Sequence, residues 1–305
     1  MVSGRSLDKE DIVLTPLIPH MFLVEGGNQG RLPYAHAFLV TGDTTLLIDT
    51  GCGHETIRAI RREFPPDMVI NTHAHPDHTS GNGLLEGLPL WVPEQRSETA
   101  GNLEKLGYRY SDETIAPIWI EHTRRFFDYR ESTPTDTYGD GHVFECGEVK
   151  LRAIHAPGHN DDHYVFFEEQ HGLLLSVDID LTSFGPWYGN PESDIDLFKE
   201  SVRRAIRLQP GIVASSHRSP ERDDPVGALK HYLSLFERHE RTILNLLPEP
   251  KTLEEIADAK PFYRTHPRDA RLLRYFETVK VLKTLEHLEA RGRVRREGKL
   301  YLRVD

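Results

Sequence analysis

The segment His73-Ala74-His75-Pro76-Asp77-His78 decides the interpretation of this chain, because it places four potential metal ligands within six residues. A short strand is predicted directly before it, at residues 67–71. Two imidazoles at positions i and i+2 at the end of a strand can converge on one point when the chain then turns. Asp77 and His78 would lie where a helix starts, and could face a second point close by.

The side chains of this motif narrow the choice of metal. Imidazole and carboxylate groups together suit zinc, iron or manganese. A thiolate site is disfavoured because neither cysteine, Cys52 or Cys146, lies in a metal-binding pattern, and we interpret both as ordinary thiols. The chain has 17 histidines, so only their clustering is informative. A polar loop that merely carries surface histidines does not explain this density of ligands.

The motif resembles the signature of the metallo-β-lactamase superfamily, and the similarity extends over about residues 12–220. Four further elements match that family: Ile48-Asp49-Thr50-Gly51, Ala156-Pro157-Gly158-His159, Ser176-Val177-Asp178, and Ser215-Ser216-His217-Arg218 after an apolar strand. The resemblance implies an α/β fold whose core is a four-layer α/β/β/α sandwich.

The resemblance also implies a site for two divalent metal ions, with zinc expected and iron or manganese as alternatives. Two ligand sets and one bridging carboxylate would hold the ions: His73, His75 and His159 on one side, Asp77, His78 and His217 on the other, and Asp178 between them. The match at His217 is the loosest, because the family often has glycine beside that histidine. Asp180 is a competitor for the bridging position.

The chemistry implied by such a site is hydrolysis. Two cations a few ångströms apart can share a hydroxide whose pKa falls to near neutrality, and they stabilise the charge that develops during its attack. Asp77 is the catalytic candidate, as a group that orients the water or moves a proton. Asp49 is left open between a turn residue and a group that orients a ligand histidine. His163 is interpreted as a supporting rather than a catalytic residue.

Hydrophobic patterning divides the chain at about 224/225. Residues 1–224 alternate strands with helices, which indicates an α/β domain, and residues 94–140 are a mostly helical, aromatic-rich insert. A long helix is expected at residues 226–247, where Pro248-Glu249-Pro250 would end it.

The last part of the chain predicts helix, helix and β-hairpin, which is the order of a winged helix. Thr252 resembles a helix N-cap, a helical stripe runs from Leu272 to Leu288, and Gly292 stands where that helix would end. Residues 225–305 are therefore interpreted as a helical linker plus a small winged-helix domain. This tail also resembles that of a metallo-β-lactamase subgroup that includes an endoribonuclease-like protein.

Charge and hydropathy limit the classes of partner that this chain is expected to bind. The net charge is −11, and it is uneven: residues 251–305 carry +5 and the remainder carries −16. A basic tail could attract nucleic acid, but +5 is modest, so nucleic acid is left open and not favoured. No apolar run approaches the roughly 20 residues that cross a bilayer, and the N-terminal stretch lacks the apolar core of a secretory signal. We expect a cytoplasmic protein without a membrane partner, and leave a homodimer open.

Three catalytic hypotheses remain. The first is hydrolysis of a small ester, thioester or lactone, favoured by the acidic body and by two aromatic segments that could line a pocket, 94–130 and 182–190. The second is RNA cleavage, which depends on the basic tail. The third is an iron-dependent dioxygenase acting on a thiol or persulfide, because some relatives use the same histidines for one iron. A non-catalytic binding module is disfavoured, because all seven expected ligands are present.

Overall fold

The fold is described from a computed structural model, and the description covers residues 12–263 and 270–304. Strands and helices are mixed between residues 12 and 220, which agrees with the predicted α/β fold. The strands are β1 Leu14–Ile18, β2 Met21–Val24, β3 Ala37–Val40, β4 Leu46–Ile48, β5 Met68–Ile70, β6 Leu90–Pro93, β7 Asp136–Tyr138, β8 Val143–Cys146, β9 Val149–His155, β10 Tyr164–Glu168, β11 Leu173–Val177, β12 Ile212–Ser215, β13 Lys251–Thr252, β14 Val294–Glu297 and β15 Leu300–Arg303. The helices are α1 Gly27–Gly30, α2 His54–Glu63, α3 Pro76–Thr79, α4 Leu103–Tyr110, α5 Ala116–Phe126, α6 Ile195–Arg207, α7 Pro225–Asn245, α8 Leu253–Asp258 and α9 Ala270–Ala290.

Two sheets face each other and enclose the main core. Strands β1 to β7 form one sheet in sequence order, and the other has the order β12-β11-β10-β9-β8. Buried side chains from both sheets form one apolar cluster, among them Phe38, Ile48, Leu151 and Phe166. Helix α2 covers the outer face of the first sheet, and α6 with α7 covers the outer face of the second. The α/β architecture with helices outside two sheets is what the family resemblance implies.

The loops that follow β5, β9, β11 and β12 meet at one edge of the sandwich, and two glycines allow the close approach. A Cβ on Gly51 would lie 1.3 Å from the carbonyl oxygen of Asp77, so only glycine fits beside α3. Gly158 has φ +118°, and a Cβ there would lie 2.1 Å from the backbone nitrogen of Phe198. Both glycines belong to segments that carry the family resemblance.

The insert is not helical to its end. Helices α4 and α5 occupy its first part, but Asp136–Tyr138 forms β7, which pairs in parallel with β6. Besides this pairing, the buried side chain of Tyr138 anchors the strand, because its hydroxyl donates to the carbonyl oxygen of Asn71 at 2.6 Å. With Asp136 and Thr137 exposed, three residues give too short an apolar pattern to predict a strand.

Helix α7 joins the two parts of the chain. Its first half contributes Leu229, Tyr232 and Phe236 to the core beside the second sheet. Its last turns contribute Ile243 and Leu244 to a separate cluster with the C-terminal elements. The helix therefore belongs to both cores, and a domain division at 224/225 stays a prediction.

The C-terminal elements follow the predicted order. Helix α8 begins with a capping box, in which Thr252 Oγ1 accepts from the backbone of Glu255 and Glu255 accepts from the backbone of Thr252. Helix α9 ends at Ala290, and Gly292 follows it with a φ of +65°. The β14–β15 hairpin turns at Gly298. Strand β13 adds a third strand to this hairpin. The assignment of these elements as a winged helix stays a prediction.

No helix within residues 12–263 and 270–304 combines the length and apolarity that a membrane crossing requires.

Candidate metal centre

The first group of predicted ligands converges beyond the ends of β5, β9 and β11. His75 Nδ1 lies 3.0 Å from His73 Nε2 and 3.0 Å from His159 Nε2. Asp178 Oδ2 lies 3.2 Å from His159 Nε2 and 3.7 Å from His73 Nε2. All four residues are buried, and their ligand atoms lie close enough together to share one metal ion.

A second group adjoins the first and uses the other oxygen of the same carboxylate. Asp178 Oδ1 lies 3.1 Å from His78 Nε2 and 3.6 Å from His217 Nε2. His217 Nε2 also lies 3.6 Å from Asp77 Oδ2. Asp77, His78 and His217 thus form a second set whose ligand atoms could hold an ion. The structure brings all seven predicted residues together, with Asp178 between the two sets.

The donor atoms fit metal ions better than they satisfy one another. His78 Nε2 and Asp178 Oδ1 are 3.1 Å apart, yet they are not aligned as a hydrogen bond, and both atoms are buried without a hydrogen-bond partner. Buried polar atoms are otherwise nearly always paired in native proteins. Nitrogen and carboxylate donors of this kind are those that zinc, iron and manganese prefer.

Four of the five imidazoles are held from behind by an acceptor, which leaves Nε2 free to face the site. In each ring Nδ1 donates away from the centre, and the acceptors are Thr72 Oγ1 for His73, Asp49 Oδ2 for His78, the carbonyl oxygen of Trp187 for His159, and the carbonyl oxygen of Gly30 for His217. Such partners fix the tautomer and the orientation of a ligand histidine. The fifth imidazole, His75, faces the site with Nδ1 instead.

Asp49 is one of these orienting groups, which decides the question that the sequence left open. Its carboxylate is fully buried and accepts from His78 Nδ1 at 2.7 Å, from the backbone nitrogen of Thr72 at 2.8 Å and from the hydroxyl of Thr72 at 2.8 Å. It therefore links the strand-Asp-x-Gly turn to the histidine motif.

His163 and Asp180 lie beside the site in supporting positions. His163 Nδ1 donates to the carbonyl oxygen of Ala156 at 2.9 Å, and its Nε2 accepts from the backbone nitrogen of Asp178 at 3.2 Å. Burial lowers the pKa of His163 to about 3, so the ring is neutral, as this pair of bonds requires. The Asp180 carboxylate accepts from Thr182 rather than joining either ligand group.

The electrostatics of the two groups differ. Burial, followed by the neighbouring imidazole of His78, lowers the pKa of His73. Burial also lowers the pKa of His75, and the neighbouring His159 acts in the same direction. Burial opposes a charge on His78 as well, but Asp178 and Asp49 outweigh it and raise the pKa of His78. Burial raises the pKa of Asp77 despite the imidazoles of His78 and His217. Burial thus favours the neutral form of His73 and His75, whereas the neighbouring carboxylates favour the charged form of His78.

The two cysteines are not part of the site. Both are buried and unpaired, and burial raises the pKa of Cys52 to about 12 and that of Cys146 to about 11. They behave as ordinary core thiols, as the sequence predicts.

Two aromatic rings pack against His75, and one of them contacts a residue of the tail. The ring centroids of Tyr110 and Trp187 lie 5.1 Å and 5.3 Å from that of His75. Phe276 of α9 contacts Trp187 with a centroid distance of 5.6 Å. Leu272 of the same helix joins the insert in one apolar cluster that includes Ala74, the residue between His73 and His75. The tail is thus packed behind the candidate site.

A buried ionic cluster fixes the insert to the ligand loops, and sequence reasoning missed it. The guanidinium of Arg109 donates to both oxygens of Glu192, at 2.9 and 2.6 Å, and to Asp162 Oδ2 at 3.1 Å. Asp162 Oδ2 also accepts from the backbone nitrogen of Ala74 at 3.1 Å. Bidentate pairs of this kind position groups well. No local sequence pattern predicts these contacts, because the partners of Arg109 lie 53 and 83 residues away along the chain.

The comparison with known proteins agrees with this geometry. The chain is 31% identical over 175 residues to the lactamase-like protein aptB of Emericella nidulans, which is 54% of this chain and 47% of the relative. It is 27% identical over 198 residues to the acyl-coenzyme A thioesterase MBLAC2 of Gallus gallus, which is 60% of this chain and 69% of the relative. The chain therefore spans about half the length of the fungal relative.

A solved structure extends the likeness in fold to nearly the whole chain. A metallo-beta-lactamase family protein from Thermus thermophilus superposes with a TM-score of 0.73 at 22% identity, over 95% of this chain and 100% of that protein. The family description "Metallo-beta-lactamase superfamily" matches residues 30–217, which include all seven candidate ligands. Because this match covers more than half of the chain, the protein belongs to the metallo-β-lactamase superfamily.

Proposed function

We propose that this protein is a metal-dependent hydrolase that cleaves a small thioester, with esters and lactones as related substrates. One observation carries the proposal: two adjoining groups of buried ligands share the two oxygens of Asp178. That arrangement supports a site for two metal ions rather than one.

In this proposal His73, His75 and His159 would hold one ion and Asp77, His78 and His217 would hold the other. Asp178, which lies between the two groups, would serve both, and zinc is the expected metal. When bound, the two ions would supply a nucleophilic hydroxide at neutral pH and polarise the carbonyl of the substrate. The protein holds these ligands rigidly, because Asp49, Trp187 and Gly30 each anchor the outer nitrogen of one imidazole.

Asp77 is the residue best placed to handle a proton. Its carboxylate lies beside His217 and Asp178 at the more accessible side of the site, since the side chain of His217 is 15% exposed. Burial raises the pKa of the Asp77 carboxyl, and a carboxyl with a raised pKa takes up a proton more readily. In this proposal Asp77 orients the attacking water and passes a proton to the leaving group.

The choice of a thioester depends on the relatives and on the surroundings of the site. MBLAC2 is an acyl-coenzyme A thioesterase, and its similarity covers 60% of this chain. The rings of Tyr110 and Trp187 pack against His75, and Phe276 packs against Trp187; aromatic side chains near the site favour an organic substrate of modest size.

The test is a turnover assay on a panel of acyl-coenzyme A thioesters, simple esters and lactones. The protein is stripped of metal, reloaded with zinc or manganese, and compared with His75→Ala. A matched control is His231→Ala, which removes an exposed histidine on α7. We expect thioester turnover that disappears in His75→Ala and persists in His231→Ala. Loaded protein that turns over no member of the panel contradicts the proposal.

RNA cleavage is the second candidate, and one surface favours it. Arg293, just before the β14–β15 hairpin, and Arg295, Arg296 and Lys299 within it are all exposed, although Arg295 is paired with Glu297. Including single-stranded RNA in the same assay decides between the candidates, because cleavage of RNA alone, sensitive to His75→Ala, would favour RNA as the substrate. Oxygen uptake by iron-loaded protein with glutathione persulfide tests the dioxygenase hypothesis in the same series.

A further inference from the structure

His75 differs from the other four imidazoles in what stands behind it. Its outer nitrogen, Nε2, lies 2.7 Å from the side-chain amide nitrogen of Asn190. The amide nitrogen can only donate, so Nε2 accepts and the proton of the neutral ring lies on Nδ1. That proton points at His73 Nε2 and His159 Nε2, each 3.0 Å away. A nitrogen that carries a proton cannot bind a metal ion, so this tautomer is the wrong one for a ligand.

Asn190 belongs to a longer chain of buried polar groups. Its amide nitrogen also donates to Asn160 Oδ1 at 2.7 Å, and the amide nitrogen of Asn160 donates to the hydroxyl oxygen of Tyr110 at 3.1 Å. These three side chains are at most 1% exposed. They come from three separate segments: the end of α4, the loop that carries His159, and the loop before α6. We call the four residues Tyr110, Asn160, Asn190 and His75 the amide relay.

Every member of the amide relay can reverse its direction without changing shape. A half-turn of a side-chain amide exchanges its oxygen and nitrogen, which occupy nearly the same space. A phenolic hydroxyl can donate or accept. With both amides turned, Tyr110 would donate to Asn160 Oδ1, Asn160 would donate to Asn190 Oδ1, and Asn190 Oδ1 would accept from His75 Nε2. The proton of His75 then lies on Nε2, and Nδ1 is free.

We propose that Asn190 is a positioning residue that sets the tautomer of His75, and that the amide relay reverses its hydrogen bonds when His75 becomes a metal ligand. The inference depends on the metal centre of the proposed function. If the amide of Asn190 did not turn, two N–H groups would face each other at 2.7 Å between buried side chains, which is unfavourable. The reversed relay gives His75 the same kind of acceptor that the other four imidazoles already have.

Two substitutions at Asn190 separate hydrogen bonding from packing. Asn190→Asp presents only acceptor oxygens, so it holds His75 in the ligand tautomer in both states. Asn190→Leu has nearly the same shape and presents neither group. We expect zinc to bind Asn190→Asp at least as tightly as the unmodified protein, and to bind Asn190→Leu about 10- to 100-fold more weakly. The readout is the zinc dissociation constant by competition with a chromogenic chelator, with thermal unfolding of each metal-free variant as the folding control.

Tyr110→Phe tests the far end of the relay. It removes only the hydroxyl that donates to Asn160 in the reversed state, so zinc affinity should fall by less than it does in Asn190→Leu. Zinc affinity of Asn190→Leu equal to that of the unmodified protein overturns the proposal. So does an Asn190→Asp variant that folds but binds zinc as weakly as Asn190→Leu.

The unmodified protein provides a second test that needs no variant to fold. In protein labelled with ¹⁵N-histidine, two-bond couplings report which ring nitrogen carries the proton. For His75 we expect a proton on Nδ1 without metal and on Nε2 with zinc, whereas the other four imidazoles keep Nδ1–H in both states. A proton on Nε2 of His75 in both states overturns the proposed reversal. Neither readout uses substrate, so a protein that binds zinc but hydrolyses no thioester contradicts the proposed function alone.

Discussion

Replacement of Asp49 by asparagine should weaken the binding of one metal ion without unfolding the protein. Asp49 is fully buried and accepts three hydrogen bonds, of which the shortest, 2.7 Å, comes from His78 Nδ1. Its φ is +62°, a left-handed conformation that asparagine tolerates better than most residues. Asp49→Asn therefore changes the chemistry of the side chain while it leaves the backbone of the turn intact.

The size of the effect follows from the bonds that asparagine can keep. The amide oxygen can still accept from the backbone nitrogen of Thr72, and the Thr72 hydroxyl can accept from the new amide nitrogen. The charge-assisted bond from His78 is lost, which costs about 1.5–3 kcal/mol of the free energy of unfolding. That is less than the roughly 5–15 kcal/mol of a typical domain, so Asp49→Asn should stay folded.

The consequence for the site is larger. An amide nitrogen behind His78 Nδ1 forces that nitrogen to accept, and the proton moves to Nε2, which then faces Asp178 Oδ1 and cannot hold a metal. We expect zinc at the Asp77, His78 and His217 side to bind about 10- to 100-fold more weakly. Urea unfolding of the metal-free protein and a zinc titration measure the two effects, with Asp43→Asn on an exposed turn as the control. Unchanged affinity for two zinc ions in Asp49→Asn would refute the reasoning.

Three further substitutions test other parts of the molecule. Burial lowers the pKa of His163 to about 3. Between about pH 6.5 and pH 3 the unfolded chain therefore binds a proton at His163 that the folded chain does not. The free energy of unfolding falls through this range by up to about 1.4 kcal/mol per pH unit. His163→Gln does not titrate but still offers one donor and one acceptor. Its free energy of unfolding should therefore fall less steeply with acid in metal-free urea titrations, and equal slopes would count against this. Leu272→Ala should lower the free energy of unfolding by about 2–5 kcal/mol in urea titrations, because Leu272 is buried against the insert. The control Leu300→Ala, at a residue 40% exposed, should change it by less than about 0.5 kcal/mol. Similar losses in the two variants would contradict the packing of Leu272 against the insert. Arg109→Met leaves Glu192 and Asp162 as buried carboxylates without their cation, so the free energy of unfolding should fall by about 3–5 kcal/mol, and a loss below about 1 kcal/mol would show that the cluster does not fix the insert.

The candidate ligands could be predicted because each is marked locally. His73 to His78 stand together in one motif, Asp178 directly follows the buried strand β11, and His217 lies two residues after the end of β12. Loops that follow strands with a common direction meet at one edge of a sheet. An apolar run that ends in a polar residue therefore predicts that this residue lies at the ligand edge of the sheet, and the structure brings the candidate ligands together there.

The supporting contacts could not be predicted, because they join residues far apart in the sequence. Asn190 reaches His75 across 115 residues, and Asp162 reaches the backbone of Ala74 across 88. A lone asparagine or aspartate in a loop has no periodic pattern, and such residues are common in turns for local reasons. Asp49 is an example: the sequence around it is the same whether its side chain only serves the turn or also accepts from His78.

The tail shows a similar limit on the scale of a domain. The sequence predicts the apolar stripe of α9, but it does not predict which surface of the protein covers that stripe. Phe276 contacts Trp187, whose carbonyl oxygen holds His159. The tail is therefore connected to the candidate site by packing, and its basic charge is concentrated in the exposed β14–β15 hairpin. The net charge of +5 alone did not distinguish these two regions.

The most direct test of a two-metal hydrolase is the rate of acyl-coenzyme A hydrolysis as zinc is added stepwise to metal-free protein. Released thiol is followed continuously, with Asp178→Ala as the blank. We expect no turnover without metal, a rate that rises to a plateau at two zinc ions per chain, and no recovery in Asp178→Ala. A rate that is independent of zinc, or equal in Asp178→Ala, would contradict the proposed function.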